Sequence, residues 1–117
     1  MRIYKPGEIV EVVFPFEEKE DKKIRPALVI HDFGDSFLII KITSKHKGRK
    51  WDIELPKDNF NGLNVDSVIQ IDKYIELDKT NVSNIIPRGI INQLQLAIVK
   101  NKLKEYNAYQ KKSTEQK

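Results

Sequence analysis

Arg25 is the residue whose type and position first suggest chemistry. It lies between the charged segment 16–23 and the apolar run Ala27–Ile30, and Pro26 directly after it fixes the backbone direction. An arginine at the mouth of a buried strand stays charged at any working pH and offers a planar fork of donors to a phosphate. It could therefore stabilise the extra charge of a five-coordinate phosphorus. From position alone, a strand-edge arginine paired with a loop glutamate is the commoner explanation.

Thr43 and Ser44 follow the apolar run Phe37–Ile42 and offer hydroxyl groups at its end. A hydroxyl together with free backbone N–H groups could cradle a phosphate, although a hydroxyl that caps a strand end is an equally simple reading. Nothing supplies the third orienting residue of a serine-hydrolase triad. The chain also lacks the GxxxxGKS and GxGxxG segments of nucleotide-binding folds, which argues against both classes.

The segment Lys45–Lys50 is the densest cluster of positive charge, since four of its six residues are Lys or Arg. Trp51 follows directly. Cations contact the nucleic-acid backbone while aromatic rings stack on unpaired bases, so this segment is a candidate phosphate-contacting loop. Charged hairpin loops are common, and the pattern alone is a weak signal. His46, within the loop, is a candidate proton acceptor.

Length and composition limit the function classes. A chain of 117 residues suits one domain, which we place at residues 1–107, followed by a flexible polar tail at 108–117. The hydrophobic content of 39% is that of a globular protein. The net charge of +4 arises entirely in residues 100–117, which hold six Lys and two Glu, so residues 1–99 are balanced. A basic tail of this kind is more often a solvated end than a nucleic-acid arm.

Cysteine and histidine usage argues against several kinds of site. The chain has no cysteine, which excludes disulfides, thiolate metal ligands and thiol nucleophiles. Its two histidines, His31 and His46, stand in no metal-ligand spacing, so we expect no metal and no cofactor. The chain contains no run of about 20 apolar residues and no signal peptide, so we expect a cytoplasmic protein without membrane contact.

The elements that must position these residues are mainly β-strands. β-Branched and apolar runs bounded by Pro, Gly or Asn-Gly signals predict five strands, with a bend in the last near Tyr74 and a mobile charged loop at 16–23. Five strands in so short a span fit a small twisted barrel. The predicted strands are Ile9–Phe14, Ala27–Ile30, Phe37–Ile42, Trp51–Leu55 and Ser67–Leu77.

A change to helical periodicity predicts one helix from Gly89 to about Tyr106. Its apolar residues fall on two stripes, so either one stripe packs on the sheet and the other on a second subunit, or both form one broad core face. One stripe holds Ile91, Leu94 and Ile98, and the other holds Leu96, Val99, Leu103 and Tyr106.

The order and spacing of several short segments resemble the MazF/PemK family of toxin endoribonucleases, over about residues 5 to 105. The segments are Gly7–Val12, Phe14-Pro15-Phe16, Arg25–Ile30, Ile42-Thr43-Ser44, Gly62-Leu63, Asp66-Ser67-Val68 and Leu77-Asp78-Lys79. The resemblance implies a mainly β fold with a C-terminal α-helix, an SH3-like small twisted β-barrel of the CcdB/PemK/MazF type. It also implies a homodimer and an antitoxin that occupies the RNA groove.

The resemblance further implies metal-independent cleavage of single-stranded RNA, in which the 2′-hydroxyl attacks its own phosphate. It places the catalytic roles on Arg25 and Thr43. Together with the charge pattern, it gives the expected RNA-binding residues as Phe16, Ser44, Lys45, His46, Lys47, Arg49, Lys50, Gln70 and Asp72.

The segment around Gln70 and Asp72 departs from part of the family. Kid-like members use an arginine two residues before an aspartate as catalytic partners, and here the aspartate remains while a glutamine replaces the arginine. We therefore assign the chemistry to Arg25 and Thr43. The alternatives are a non-catalytic barrel that binds nucleic acid or protein, or a gyrase inhibitor similar to the CcdB proteins.

Overall fold

Six strands and one helix make up the computed structural model, which describes residues 2–14, 24–45 and 48–115, with side chains as far as Lys112. A single turn of 3-10 helix, Lys79–Asn81, joins the last two strands. The elements in chain order are β1 (Glu8–Val13), β2 (Ile24–Asp32), β3 (Ser36–Thr43), β4 (Asp52–Leu55), β5 (Ser67–Asp78), β6 (Val82–Ile90) and α1 (Gln93–Glu115).

The strands form one antiparallel sheet in the order β4-β5-β3-β2-β1-β6. The prediction of a mainly β fold with a C-terminal helix is confirmed. Within the described residues the sheet has two edges, β4 and β6, so the predicted barrel closure is not confirmed. All five predicted strands are present. β6 was not predicted, because it carries Pro87 and four consecutive exposed residues, as edge strands do.

The two central strands, β2 and β3, are buried on both faces. One face packs against α1 through Leu28, Ile40 and Ile42. The other face holds a second core built from Val10, Val12, Ala27, Val29, Phe37 and Ile39. Because alternate side chains enter different cores, both strands read as nearly continuous apolar runs. The same alternation decides which side chains share a face near Arg25.

β5 carries the predicted bend. Its register with β3 pairs Ile40 with Tyr74 but Ile42 with Ile69, so four residues of β5, 70–73, lie opposite the single residue Lys41. Such an irregularity bends a strand and redirects its side chains. In this chain it falls where β5 carries Gln70 and Asp72.

Helix α1 begins later and ends later than predicted. Gly89 belongs to β6, and the helix starts after Asn92, whose Oδ1 accepts from Gln95 N–H at 2.7 Å while Gln95 Oε1 accepts from Asn92 N–H at 3.0 Å. This reciprocal pair is a capping box that satisfies the first helical N–H groups. The helix then runs to Glu115, so it covers most of the segment expected to be a flexible tail.

Within α1, only one of the two predicted stripes packs on the sheet. Leu96, Val99 and Leu103 are buried, whereas Leu94 is 71% and Ile98 50% exposed. Ile91, predicted on the same stripe as Leu94, is buried in the core but precedes the helix. The alternative of one broad core face is therefore wrong. No helix in the described part of the chain has the length and apolar content to cross a membrane.

The loop between β4 and β5 packs closely on β6. Gly62 has a φ of +69°, and a Cβ at this position would collide with the Arg88 carbonyl. The Gly62 carbonyl accepts from Arg88 Nη2 at 2.9 Å, and the Phe60 carbonyl accepts from Ile90 N–H at 2.9 Å. Only glycine combines this conformation with so close an approach. The segment Gly62-Leu63 thus fixes the path of the chain into β5.

Candidate active site

Arg25 and Thr43 lie opposite each other at the same end of two neighbouring strands. The antiparallel ladder of β2 and β3 ends with the pair of Ala27 and Lys41. Continued by two residues along each strand, the same register places Arg25 opposite Thr43, with both side chains on one face of the sheet. Both side chains are half-buried, and Arg25 also interacts with other groups. The structure therefore brings the two predicted catalytic residues together.

Thr43 is held by the loop that follows it. Its Oγ1 accepts from Lys45 N–H at 3.3 Å, while Ser44 and Lys45 are exposed. In this turn the Thr43 hydroxyl caps the strand end, which is one of the two interpretations that the sequence allowed. Because the hydroxyl oxygen acts as the acceptor, its hydrogen can still be donated to a phosphate oxygen. The two readings of Thr43 are thus compatible.

Gln70 and Asp72 extend this face onto β5. Thr43 pairs with Val68, and Ile69 and Ile71 point into the core beneath α1, so alternation turns Gln70 and Asp72 toward the face of Thr43. Gln70 is only 7% exposed, and Asp72 is half-buried. Gln70 and Asp72, two of the predicted RNA-binding residues, therefore lie on the same face as the predicted catalytic pair.

Arg49 is fixed on this face by two aspartates. Its guanidinium forms an ion pair with Asp72, and its backbone N–H donates to Asp52 Oδ2 at 3.4 Å. Asp52 lies opposite Gln70 across β4 and β5. Among the described residues, neither Asp52 Oδ1 nor Asp72 Oδ1 has a hydrogen-bond donor, although both atoms are buried. The face therefore combines a positioned cation with two carboxylate oxygens that can accept a proton.

Lys50 and Trp51 turn away from this face toward α1. Lys50 Nζ lies 5.2 Å from the Trp51 ring and 4.8 Å from the Tyr109 ring. The Trp51 ring packs against Tyr106 and Tyr109 at centroid distances of 5.1 and 5.5 Å. The predicted basic loop is thus divided, with Arg49 on the face of Asp72 and Lys50 on the helix. Trp51 anchors the helix instead of standing beside Arg49.

Three of the predicted RNA-binding residues, Phe16, His46 and Lys47, lie outside the described residues, as does the charged segment 16–23. Sequence reasoning missed Lys41 and Asp52, which share the face of Thr43 and Gln70. The signal for Lys41 was present, since it is the single charged residue within the run Phe37–Ile42.

A buried ion pair lies at the opposite end of β2 from Arg25. Lys79 Nζ contacts Asp32 Oδ2 at 2.6 Å and donates to the Arg2 carbonyl at 2.9 Å. Burial alone would raise the pKa of Asp32, but hydrogen bonds from Lys79 and from the backbone N–H groups of Tyr4 and Gly34 lower it below its usual value. This pair joins the N-terminal segment to β2 and β5, so its role is structural.

Comparison with known proteins identifies the fold. The crystal structure of MazF (Form-I) from Deinococcus radiodurans superposes with a TM-score of 0.74 at 22% identity, covering 92% of this chain and 99% of that chain. The Mycobacterium tuberculosis toxin MazF-mt6 gives a TM-score of 0.65 at 18% identity over 82% of this chain and 91% of its own. The MazE-MazF structure (Form-III) from D. radiodurans gives a TM-score of 0.72 at 22% identity, covering 92% of this chain and 98% of that chain. No curated protein matches the chain by sequence.

The sequence profile of the family described as PemK-like, MazF-like toxin of type II toxin-antitoxin system matches residues 5–106. That match covers the four strands of the candidate face, β2 to β5, the loop with Arg49, and most of α1. On this ground, the chain belongs to the PemK-like, MazF-like family of type II toxin-antitoxin toxins.

Proposed function

We propose that this chain is an endoribonuclease toxin that cuts single-stranded RNA, most simply mRNA, without a metal ion. The observation that carries the proposal is the register of β2 and β3, which sets Arg25 opposite Thr43. A guanidinium beside a hydroxyl, with carboxylates on the next two strands, β5 and β4, provides the charges that phosphodiester cleavage requires.

The reaction begins with attack of the RNA 2′-hydroxyl oxygen on the adjacent phosphorus. Its proton passes to an acceptor, for which Asp52 and Asp72 are candidates on this face, because each has a buried carboxylate oxygen without a donor among the described residues. Arg25 balances the negative charge of the five-coordinate phosphorus and donates a hydrogen bond to the departing 5′-oxygen. Thr43 orients the phosphate through its hydroxyl. The P–O5′ bond then breaks with its electron pair on O5′, which takes a proton from water, because arginine keeps its own. This leaves a 2′,3′-cyclic phosphate and a 5′-hydroxyl end.

RNA binding in this proposal spreads from Thr43 toward β4. Arg49 contacts the backbone from its position on Asp72, while Ser44 and Lys45 form the exposed rim. Gln70 and Asp72 line the floor. Lys50 acts mainly on the helix side, because its Nζ lies over Trp51 and Tyr109. Phe16, His46 and Lys47 keep their predicted RNA-binding roles in this proposal.

An antitoxin and a second copy of the chain are the proposed protein partners, and the proposed location is the cytoplasm. Two of the similar structures contain a toxin with its partner. One is MazE-MazF from D. radiodurans, and the other is an endoribonuclease from a mycobacterial species in complex with its cognate antitoxin. By analogy, an antitoxin would block the face of Arg25 and Thr43. The exposed residues Leu94 and Ile98 of α1 offer the apolar surface for a homodimer.

The experiment that tests the proposed site is a comparison of Arg25→Ala with Arg2→Ala. Removing the guanidinium at position 25 should lower the single-turnover cleavage rate by about 10²- to 10³-fold, as loss of one preorganised transition-state donor does. Arg2 lies far from this face, so its exposed side chain provides the matched control. Equal activity of the two variants would contradict the assignment.

The rival function is a non-catalytic binding module, and the glutamine at position 70 is the observation that favours it. Wild-type protein that binds single-stranded RNA without cutting it would support that reading. Growth arrest on induced expression, relieved by an antitoxin, would support the toxin.

A further inference from the structure

Lys41 is a charged residue inside one of the most buried strands of the protein. Its neighbours Ile39, Ile40 and Ile42 are fully buried, and Lys41 itself is half-buried. Withdrawing an ammonium group from water is unfavourable unless other groups compensate. Part of the compensation is visible, because Lys41 Nζ lies 5.8 Å from the centroid of the buried Phe14 ring. Lys41 also interacts with another group, so the burial of its ammonium is compensated in more than one way.

The position of Lys41 places it beside the candidate catalytic pair. It precedes Thr43 by two residues on β3, so both side chains project from the same face with Cα atoms about 7 Å apart. Across β2 it pairs with Ala27, the residue two positions after Arg25 on that face. Lys41 is therefore a direct neighbour of Thr43 and a diagonal neighbour of Arg25.

On the other side, Lys41 faces the irregular part of β5. Residues 70–73 lie opposite it, and these include Gln70 and Asp72. Asp72 is already paired with the Arg49 guanidinium. Lys41 thus lies between two arginines, Arg25 on one side and Arg49 on the other. Among the described residues of this face, the buried carboxylate oxygens without a donor belong to Asp52 and Asp72.

Three cations along one face suit a polyanion that crosses several strands. Lysine acts on phosphate as a compact point charge, whereas arginine can hold two oxygens at once. We propose that Lys41 binds the backbone phosphate of single-stranded RNA next to the phosphate held by Arg25 and Thr43, an inference that rests on the proposed RNA-cutting function. Lys41 then fixes the strand on the face, and Arg25 acts at the cut.

Binding measurements on a non-cleavable probe test the role of Lys41 directly. The probe is a mixed-sequence single-stranded RNA whose 2′-hydroxyls are replaced by fluorine, which removes the attacking group. Lys41→Met keeps the length of the side chain and removes its charge, and should raise the Kd about tenfold. The slope of log Kd against log salt should fall by about 0.7, the value for one single-strand phosphate contact.

Two further variants separate phosphate binding from a structural effect. Lys41→Arg keeps the charge and should retain the wild-type salt slope. Lys100→Met makes the same chemical change at an exposed position of α1 and should leave both Kd and slope unchanged. Circular dichroism and thermal unfolding verify the fold of each variant. If Lys41→Met does not fold, Lys41→Gln takes its place.

The outcomes distinguish this inference from the proposed function. A wild-type Kd and salt slope in Lys41→Met would overturn the role of Lys41, and so would an equal loss in Lys41→Arg. Wild-type protein that binds the probe but does not cut natural RNA would refute the proposed cleavage, and the salt slope would still decide the role of Lys41. Absence of any binding by the wild type would refute both.

Discussion

At the residue scale, the proposed chemistry depends on a few side chains that share one face of the sheet. Arg25 and Thr43 are opposed through the register of β2 and β3, and Asp72 holds Arg49 from β5. The sequence identifies the first two by their positions before and after apolar runs. Their proximity follows only from strand pairing, which relates residues far apart in the chain.

Replacement of Thr43 tests whether the hydroxyl group contributes beyond capping its strand. Thr43→Val keeps the shape but removes the donor, so the single-turnover cleavage rate should fall by about 10²-fold or more. Thr43→Ser retains the hydroxyl and should stay within about tenfold of wild type. Thr43→Ser should unfold at the wild-type temperature, whereas Thr43→Val, which loses the acceptor for Lys45 N–H, should unfold at a slightly lower one. A Thr43→Val protein that cuts RNA at the wild-type rate would leave Thr43 with a capping role alone.

At the element scale, packing between strand ends and termini holds the sheet in register. The ion pair of Lys79 and Asp32 joins the 3-10 turn to the end of β2, and the same aspartate accepts from Tyr4 N–H at 2.7 Å. Side chains of this pair are 3% and 5% exposed. Removing one partner of such a pair typically costs about 3–5 kcal/mol, because the other charge remains buried.

The lowered pKa of Asp32 should make the free energy of unfolding depend on pH. Its pKa is lowered in the folded protein, so its contribution to stability is complete above the unfolded-state pKa of about 3.9. The contribution should be lost as pH falls below about 4 and passes through the folded-state pKa. Urea unfolding of the wild type between pH 7 and pH 3 should show this decline.

The double variant Asp32→Asn, Lys79→Met provides the comparison for that measurement. Because it removes both charges, its free energy of unfolding should fall less steeply below pH 4 than that of the wild type. Asp78, whose pKa is also lowered, by hydrogen bonds from the backbone and side chain of Thr80, contributes in the same direction and is present in both proteins. Identical pH profiles would show that Asp32 does not contribute in this way.

At the scale of the whole molecule, α1 has one face on the sheet and one apolar stripe on the surface. If Leu94 and Ile98 form the proposed dimer contact, the double variant Leu94→Glu, Ile98→Glu should change the mass measured by light scattering from dimer to monomer. The matched variant Ile85→Glu, Ile86→Glu introduces the same charges on exposed positions of β6 and should remain dimeric. A dimer that persists in the helix variant would place the contact elsewhere.

Much of the architecture could be predicted from the sequence, because β1 to β5 carry apolar periodicity and clear turn signals. β6 could not be predicted, since its side chains are largely exposed and therefore show no alternation of apolar and polar residues. Residues 107–115 of α1 were missed because an aromatic residue holds this part of the helix. Tyr109 packs on Trp51, a contact between distant parts of the chain that leaves no aliphatic stripe.

The candidate face was only partly predictable for the same physical reason. Sequence proximity suggested that Arg49 and Lys50 act together, but in the loop before β4 Arg49 pairs with Asp72 while Lys50 lies over the Tyr109 ring. Lys41 is visible in the sequence as a single charge within an apolar run, but the sequence does not show which residues lie beside it. Strand pairing, not composition, shows that it lies next to Thr43.

The most direct test of the central claim is analysis of the RNA ends produced by purified wild-type protein in EDTA. The proposed mechanism predicts cleavage of single-stranded RNA into fragments with 2′,3′-cyclic phosphate and 5′-hydroxyl ends, and no cleavage where the 2′-hydroxyl is replaced by fluorine. Intact RNA under these conditions, or fragments with 5′-phosphate ends, would contradict it.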